Sequence, residues 1–213
     1  MAQSFIFINY HQALRFGHVA WGFTLSEGVY RWGSSDHLLR RPMSDVVALA
    51  KYSYVPPGGD IDFWSEQGSY EQMLQSMAAK HHIQYQDNRR EYRYHINYHD
   101  FKVLNHENAN PERALQEIEL IKAGGWSVVA NNCIDQTYRI LEAFGAGSTL
   151  VDPKQRYQAK LTFNGGSDST LKYGRLSTIL PKKWFAAAIG ESYSLEQHRA
   201  KNSQETSGRQ VVS

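Results

Sequence analysis

The chain has only one cysteine, Cys133, and that scarcity excludes two structural uses of sulfur at once. No intramolecular disulfide can form, and a cysteine-based zinc site cannot be built from one thiol. A buried inert side chain, an intermolecular bridge and a reactive thiol are the remaining uses. Long hydrophobic runs are also missing. No stretch approaches the roughly 18 consecutive apolar residues of a membrane span. Phe5-Ile6-Phe7-Ile8 has no basic region before it and no cleavage pattern after it, so it reads as a strand and not a signal peptide. The expectation is a protein kept in the cytoplasm, with export by a signal-independent route left open. Charge of one sign is lacking as well. A net charge of +2 over 213 residues gives no general attraction to nucleic acid.

What is present suits one globular domain. Hydrophobic residues make up 41% and charged residues 21%, which is enough apolar material for a single core. The expected domain runs over residues 1–195. Beyond it the chain turns polar, and residues 196–213 read as a disordered tail.

Ser4–Tyr10 reads as a first strand. A hairpin follows, from His18 to Leu25 and from Val29 to Trp32, with Gly28 in its turn. Alternation sets Val19, Trp21, Phe23 and Leu25 on one face. His18, Ala20, Gly22 and Thr24 fall on the other, where small residues leave room for a backbone or a substrate. From Ser34 to Gly68 the punctuation Arg40-Arg41-Pro42 and Pro56-Pro57-Gly58-Gly59 suggests loops and short elements. Ser69–His82 reads as a helix and Glu91–Asn97 as a strand. Asn110 as a cap, Pro111 at the first position and Gly124-Gly125 at the end delimit a second helix. Trp126–Ala130 then reads as a short strand and Cys133–Phe144 as a third helix, capped by Asn131-Asn132 and stopped by Gly145. Tyr157–Phe163 alternates like a strand, and Pro181–Ile189 reads as a closing helix.

Cys133 therefore stands in the first turn of a helix, just after a strand. The unpaired N–H groups and positive dipole end there favour a thiolate and can stabilise an oxyanion. A nearby imidazole would hold the thiolate and later protonate a leaving group. His18, on the small-residue face of its strand, is the best-placed histidine for that work. Against this stands the common fate of a lone cysteine, burial as a small hydrophobe.

Phe16-Gly17-His18-Val19-Ala20-Trp21-Gly22-Phe23, a hairpin, and then Asn131-Asn132-Cys133-Ile134-Asp135 at a strand-to-helix junction resemble the circularly permuted NlpC/P60 branch of papain-like thiol hydrolases. The match covers these two motifs and the order of elements between them, about half the chain. The resemblance implies an α+β, papain-like fold with an antiparallel sheet and packed helices. It also implies Cys133 as nucleophile, His18 as base and a polar residue on the next strand to orient the imidazole. That strand carries Tyr30, Arg31 and Trp32, none an ordinary partner for imidazole, so Ser34, Asp36 and His37 just beyond are the candidates. Relatives of this kind include cell-wall peptide amidases, peptidases acting on protein and lipid acyltransferases. Hydrolysis of an amide in a peptide-like substrate ranks first, because no membrane-binding segment is evident. A thiol acyltransferase or lipid hydrolase is one alternative. A papain-like fold without activity, serving as a binding module, is the other.

No cofactor and no metal are expected. His95 and His99, if both on one strand, would be roughly 13 Å apart, too far to share an ion. Arg89, Arg90 and Arg93 among Tyr92, Tyr94 and Tyr98 resemble a nucleic-acid surface, but Asp87, Glu91 and Asp100 offset their charge. Gly165-Gly166-Ser167-Asp168-Ser169 lacks the lysine of a phosphate-binding loop.

Overall fold

The computed structural model describes residues 1–11, 17–37, 54–59, 61–79, 81–87, 90–96, 98–127, 131–153 and 180–198. Their strands are β1 Ala2–Asn9, β2 His18–Ser26, β3 Val29–His37, β4 Ile61–Gly68, β5 His81–Asp87, β6 Arg90–Ile96, β7 Asp100–His106 and β8 Glu191–Ser194. The helices are α1 Tyr70–Ala78, α2 Pro111–Gly124, α3 Cys133–Leu141 and α4 Pro181–Ala187. A six-stranded sheet in the order β4-β3-β2-β1-β7-β8 is antiparallel throughout, and β5 and β6 form a separate pair. The chain is thus mixed α+β.

Both faces of the large sheet are buried. Ile6, Ile8, Val19, Trp21, Phe23 and Leu104 pack under α2, α3 and α4, meeting Ile118, Ile134, Leu141 and Trp184. On the opposite face Phe5, Phe7, Ala20, Trp32 and Phe101 pack under α1 through Met73, Leu74 and Met77. Each large side chain buried in this way contributes about 1.5–3 kcal/mol, so the two layers fix strand register firmly. The expected hairpin alternation is present, but its small-residue face is not an open one. A Cβ on Gly22 would stand 3.0 Å from Met73 Sδ and 3.2 Å from Phe7. The small residues admit a helix and not a substrate.

Three further elements differ from the sequence expectation. The first helix stops at Ala78 instead of reaching His82. Ala79 turns to an extended ψ of 141°, and the next residues leave as β5. Its start is as expected, with Ser69 accepting from the Gln72 N–H in a capping box. The hairpin's second strand does not end at Trp32. It runs on to His37 and pairs with β4 from Tyr30↔Gly68 to His37↔Ile61, in a stretch read as loops. Glycine, serine and aspartate are poor strand formers, and pairing with β4 overrides that preference. The third helix ends at Leu141, after which Glu142–Ala146 widen into a π turn that reverses at Gly145, φ 128°. Leu195 is fully buried, Glu196–His198 add one helical turn, and the rest of the expected tail lies outside the described residues. So do the expected strand Tyr157–Phe163 and residues 128–130. Among the described residues, no helix is long and apolar enough to cross a membrane.

Gly33 pairs with Trp21 on β2 and Ser65 on β4 and leaves no room for a side chain. A Cβ there would collide with the Trp64 carbonyl oxygen and lie 2.8 Å from the Trp21 ring. Gly33→Ala is expected to cost about 2–3 kcal/mol, the usual result of forcing atoms into a packed core. Urea unfolding of the variant measures this directly, and an unchanged midpoint would refute it.

Candidate functional site

His18 is the first residue of β2, and Cys133 is the first residue of α3. Although 115 positions apart in sequence, the two side chains are brought close enough to interact, with Cys133 among the groups that raise the His18 pKa. The thiol is 6% exposed and the histidine 8%, so the pair is shielded from bulk water without being sealed.

Asn132 caps the helix that carries the thiol. Its side-chain oxygen accepts from the N–H groups of Ile134 (2.9 Å) and Asp135 (3.3 Å), while Asp135 Oδ2 accepts from the Asn132 N–H. This reciprocal cap holds the first turn rigid and leaves the Cys133 N–H as the first-turn donor that the cap does not occupy. One turn further along α3, Gln136 accepts a hydrogen bond from Ser35 and donates to the carbonyls of Asn131 (3.2 Å) and Gly125 (3.4 Å). The start of α3 is thereby tied to the middle of β3.

The histidine is held from its other side. Nε2 lies 2.9 Å from Ser34 Oγ and 3.3 Å from Asp36 Oδ1. With Nε2 engaged there, Nδ1 is the nitrogen left for the thiol. Asp36 is 3% exposed. Trp64 Nε1 donates to its Oδ2, and the Tyr98 hydroxyl, which donates to Ser34 Oγ at 2.7 Å, lies 3.3 Å from its Oδ1. Of the three candidates for orienting the imidazole, the structure brings Ser34 and Asp36 to His18. His37 ends β3 opposite Ile61.

The electrostatics follow from this packing. Burial alone would push His18 toward its neutral form. The charge of Cys133, the hydrogen bonds to Asp36 and Cys133 and the charge of Asp36 outweigh it, and the imidazole is pushed up to about 10. For Asp36, burial likewise opposes ionisation, and bonding to His18, Trp64 and Tyr98 prevails, holding the carboxyl below its ordinary range. At neutral pH the site therefore contains an imidazolium between the Asp36 carboxylate and Cys133. That arrangement can supply a nucleophile, a proton donor for a leaving group and, at the Cys133 N–H, a donor to a developing oxyanion.

Beside it lies a cavity of about 120 Å³ bordered by Ser35, Ile61, Phe63, Ile121, Trp126 and Gln136. Its size suits one small apolar side chain or acyl group. The two histidines considered as a metal pair do not share a strand. His95 is on β6, whereas His99 lies outside the strands, accepts from the Tyr10 N–H and packs on the His11 ring. Among the described residues no cluster of three His, Cys, Asp or Glu side chains is placed to hold an ion.

Sequence reasoning did not single out Tyr98 or Trp64 as site residues. Trp64 fell in the stretch read as loops, and Tyr98 was one of several tyrosines in an alternating run. Neither position carries a local signal, because both reach the site only through tertiary packing. No family model, no curated protein and no solved structure matches this chain.

Proposed function

We propose that the chain is a thiol hydrolase of papain-like, circularly permuted NlpC/P60 type, which cleaves an amide bond through an acyl-enzyme on Cys133. One observation carries the reading: a buried imidazole bridges the sole thiol of the chain and a Ser34–Asp36 acceptor pair. Burying a carboxylate, an imidazolium and a thiol together is costly unless each is paired. Spending that cost at a helix N-terminus is what nucleophilic catalysis by cysteine requires.

The steps balance as follows. Cys133 Sγ attacks the carbonyl carbon, and a C–S bond forms while the carbonyl π electrons move to oxygen, opposite the Cys133 N–H. Collapse of this intermediate breaks the C–N bond, and the departing amine takes a proton from the His18 imidazolium. A water then attacks the thioester while neutral His18 accepts its proton. The C–S bond breaks, the acid leaves, and the His18 imidazolium faces the thiolate again.

An inactive binding module is the reading that the lack of an imidazole partner at Tyr30, Arg31 and Trp32 favours. Ser34 and Asp36 beside His18 supply such a partner and support the active reading. Transfer of the acyl group to another acceptor in place of water uses the same first half-reaction and remains the alternative to hydrolysis.

The test is acylation by p-nitrophenyl acetate followed by intact-mass analysis. The expected result is a burst of nitrophenol with one acetyl group on Cys133, absent in Cys133→Ala and followed by slow turnover. A peptide-amide panel, including cell-wall peptides, then separates hydrolysis from transfer. Absence of any Cys133 adduct would remove the catalytic reading.

A further inference from the structure

We propose that Tyr98 is a positioning residue that selects the tautomer of His18, acting through Ser34. The inference rests on the thiol-hydrolase reading for its kinetic consequence, and on geometry alone for its structural one. Tyr98 is 1% exposed, its N–H is fixed to the Met77 carbonyl at 3.0 Å, and its ring meets Phe7 edge-on. Its hydroxyl lies 2.7 Å from Ser34 Oγ and 3.3 Å from Asp36 Oδ1.

The protons at Ser34 can be counted. A serine hydroxyl has one hydrogen to give and two lone pairs to offer. Three groups surround Ser34 Oγ: the Tyr98 hydroxyl, His18 Nε2 at 2.9 Å and Asp36 Oδ1 at 3.5 Å. Asp36 is a carboxylate and can only accept, so the Ser34 proton belongs to it. Burial and the charge of Asp36 keep the Tyr98 hydroxyl protonated, so it donates. Ser34 is then left with a single lone pair, and that lone pair faces His18. A neutral His18 must therefore carry its proton on Nε2, which leaves Nδ1 as the basic nitrogen on the thiol side.

Remove the tyrosine hydroxyl and the count changes. Ser34 no longer has a donor pressing its proton toward Asp36, so it can rotate and donate to Nε2, in competition with Asp36 Oδ1, which at 3.3 Å still accepts from Nε2. The rotated serine populates the opposite tautomer beside the original one, with the proton on Nδ1, where a base is needed. Acylation begins with a doubly protonated imidazolium and is little affected. Deacylation needs neutral His18 to take a proton from water, and the wrong tautomer cannot do so.

The experiment compares Tyr98→Phe with wild type, using p-nitrophenyl acetate for the kinetics. The expected result is a burst phase within about twofold of wild type and a steady-state rate lowered about tenfold, a fraction of what a positioned base supplies. A side chain with a purely structural role would slow both phases and lower the melting temperature together. A steady-state rate equal to wild type, or equal slowing of both phases, would overturn the proposal. A ¹⁵N spectrum of His18 in the Cys133→Ser background gives a second readout that needs no turnover. Loss of the thiol removes the largest influence raising the histidine, so the neutral ring becomes observable at lower pH. With Tyr98 present the proton is expected on Nε2, and with Tyr98→Phe a mixture of the two tautomers. An unchanged Nε2 proton in both sinks the proposal even if wild type shows no burst, a result that would separately end the hydrolase reading.

Discussion

In His18→Ala, alkylation of Cys133 by iodoacetamide at pH 6 is expected to slow by about 10- to 100-fold relative to wild type. The thiolate, not the thiol, is the reacting species, and an imidazolium beside it is the strongest local influence in its favour. Because His18 is pushed up to about 10, that influence persists through the whole neutral range. The assistance ends when the imidazolium loses its proton, so the two proteins converge as pH rises through about 10. The measured effect falls short of the full gain in thiolate, since a stabilised thiolate is a weaker nucleophile. His18→Ala also removes a bulky side chain from a buried site, so His18→Gln serves as the check on packing. Equal alkylation rates at pH 6 in wild type and both variants would contradict the ion pair.

The second large effect concerns stability. Asp36→Asn is expected to destabilise the fold by about 3 kcal/mol near pH 5–6, the scale for removing one partner of a buried pair. Asparagine keeps the shape and offers one acceptor oxygen in place of two, so it can still accept either from Trp64 or on the His18 side, which makes this gentler than Asp36→Ala. The pH dependence has a definite sign. Asp36 is held below its ordinary value of 3.8, so its contribution is present above that pH and is lost as pH falls through the folded value. His18 is raised from 6.5 to about 10, so its contribution is complete below 6.5 and fades as pH climbs toward 10. The gap between wild type and Asp36→Asn should therefore be widest between about pH 4 and 6.5 and should narrow toward pH 10. Urea midpoints across this range measure it, and a gap independent of pH would rule the pairing out.

How much of this was legible in the sequence follows from how local each signal is. The cap of α3 was readable because Asn132, Cys133 and Asp135 are neighbours and their chemistry is complete within one turn. The β2–β3 hairpin was readable because alternation and a turn glycine occur together over a few residues. The extension of β3 through Ser34, Ser35 and Asp36 was not. Small polar residues in a strand imitate a loop, and only their pairing with Trp64, Phe63 and Asp62 on β4 reveals them. Ser34 and Asp36, two of the candidates for orienting His18, lie in this stretch, so the residues were legible while the strand that carries them was not. The helix expected through His82 failed for a related cause. Its alternating continuation His81–Asp87 finds a strand partner in Arg90–Ile96, which no local pattern foretells.

The site gathers side chains from β2, β3, β4, α3 and the residue after the β5–β6 pair, so its shortest links span large sequence separations. Closing such loops costs entropy that local structure does not repay, and contacts of this kind form late in folding. A chain with β2 and β3 already paired still has an unremarkable thiol until α3 docks. On the proposed reading, Cys133 reactivity therefore reports the docking of α3 onto β2 and β3, which a signal from the sheet alone does not.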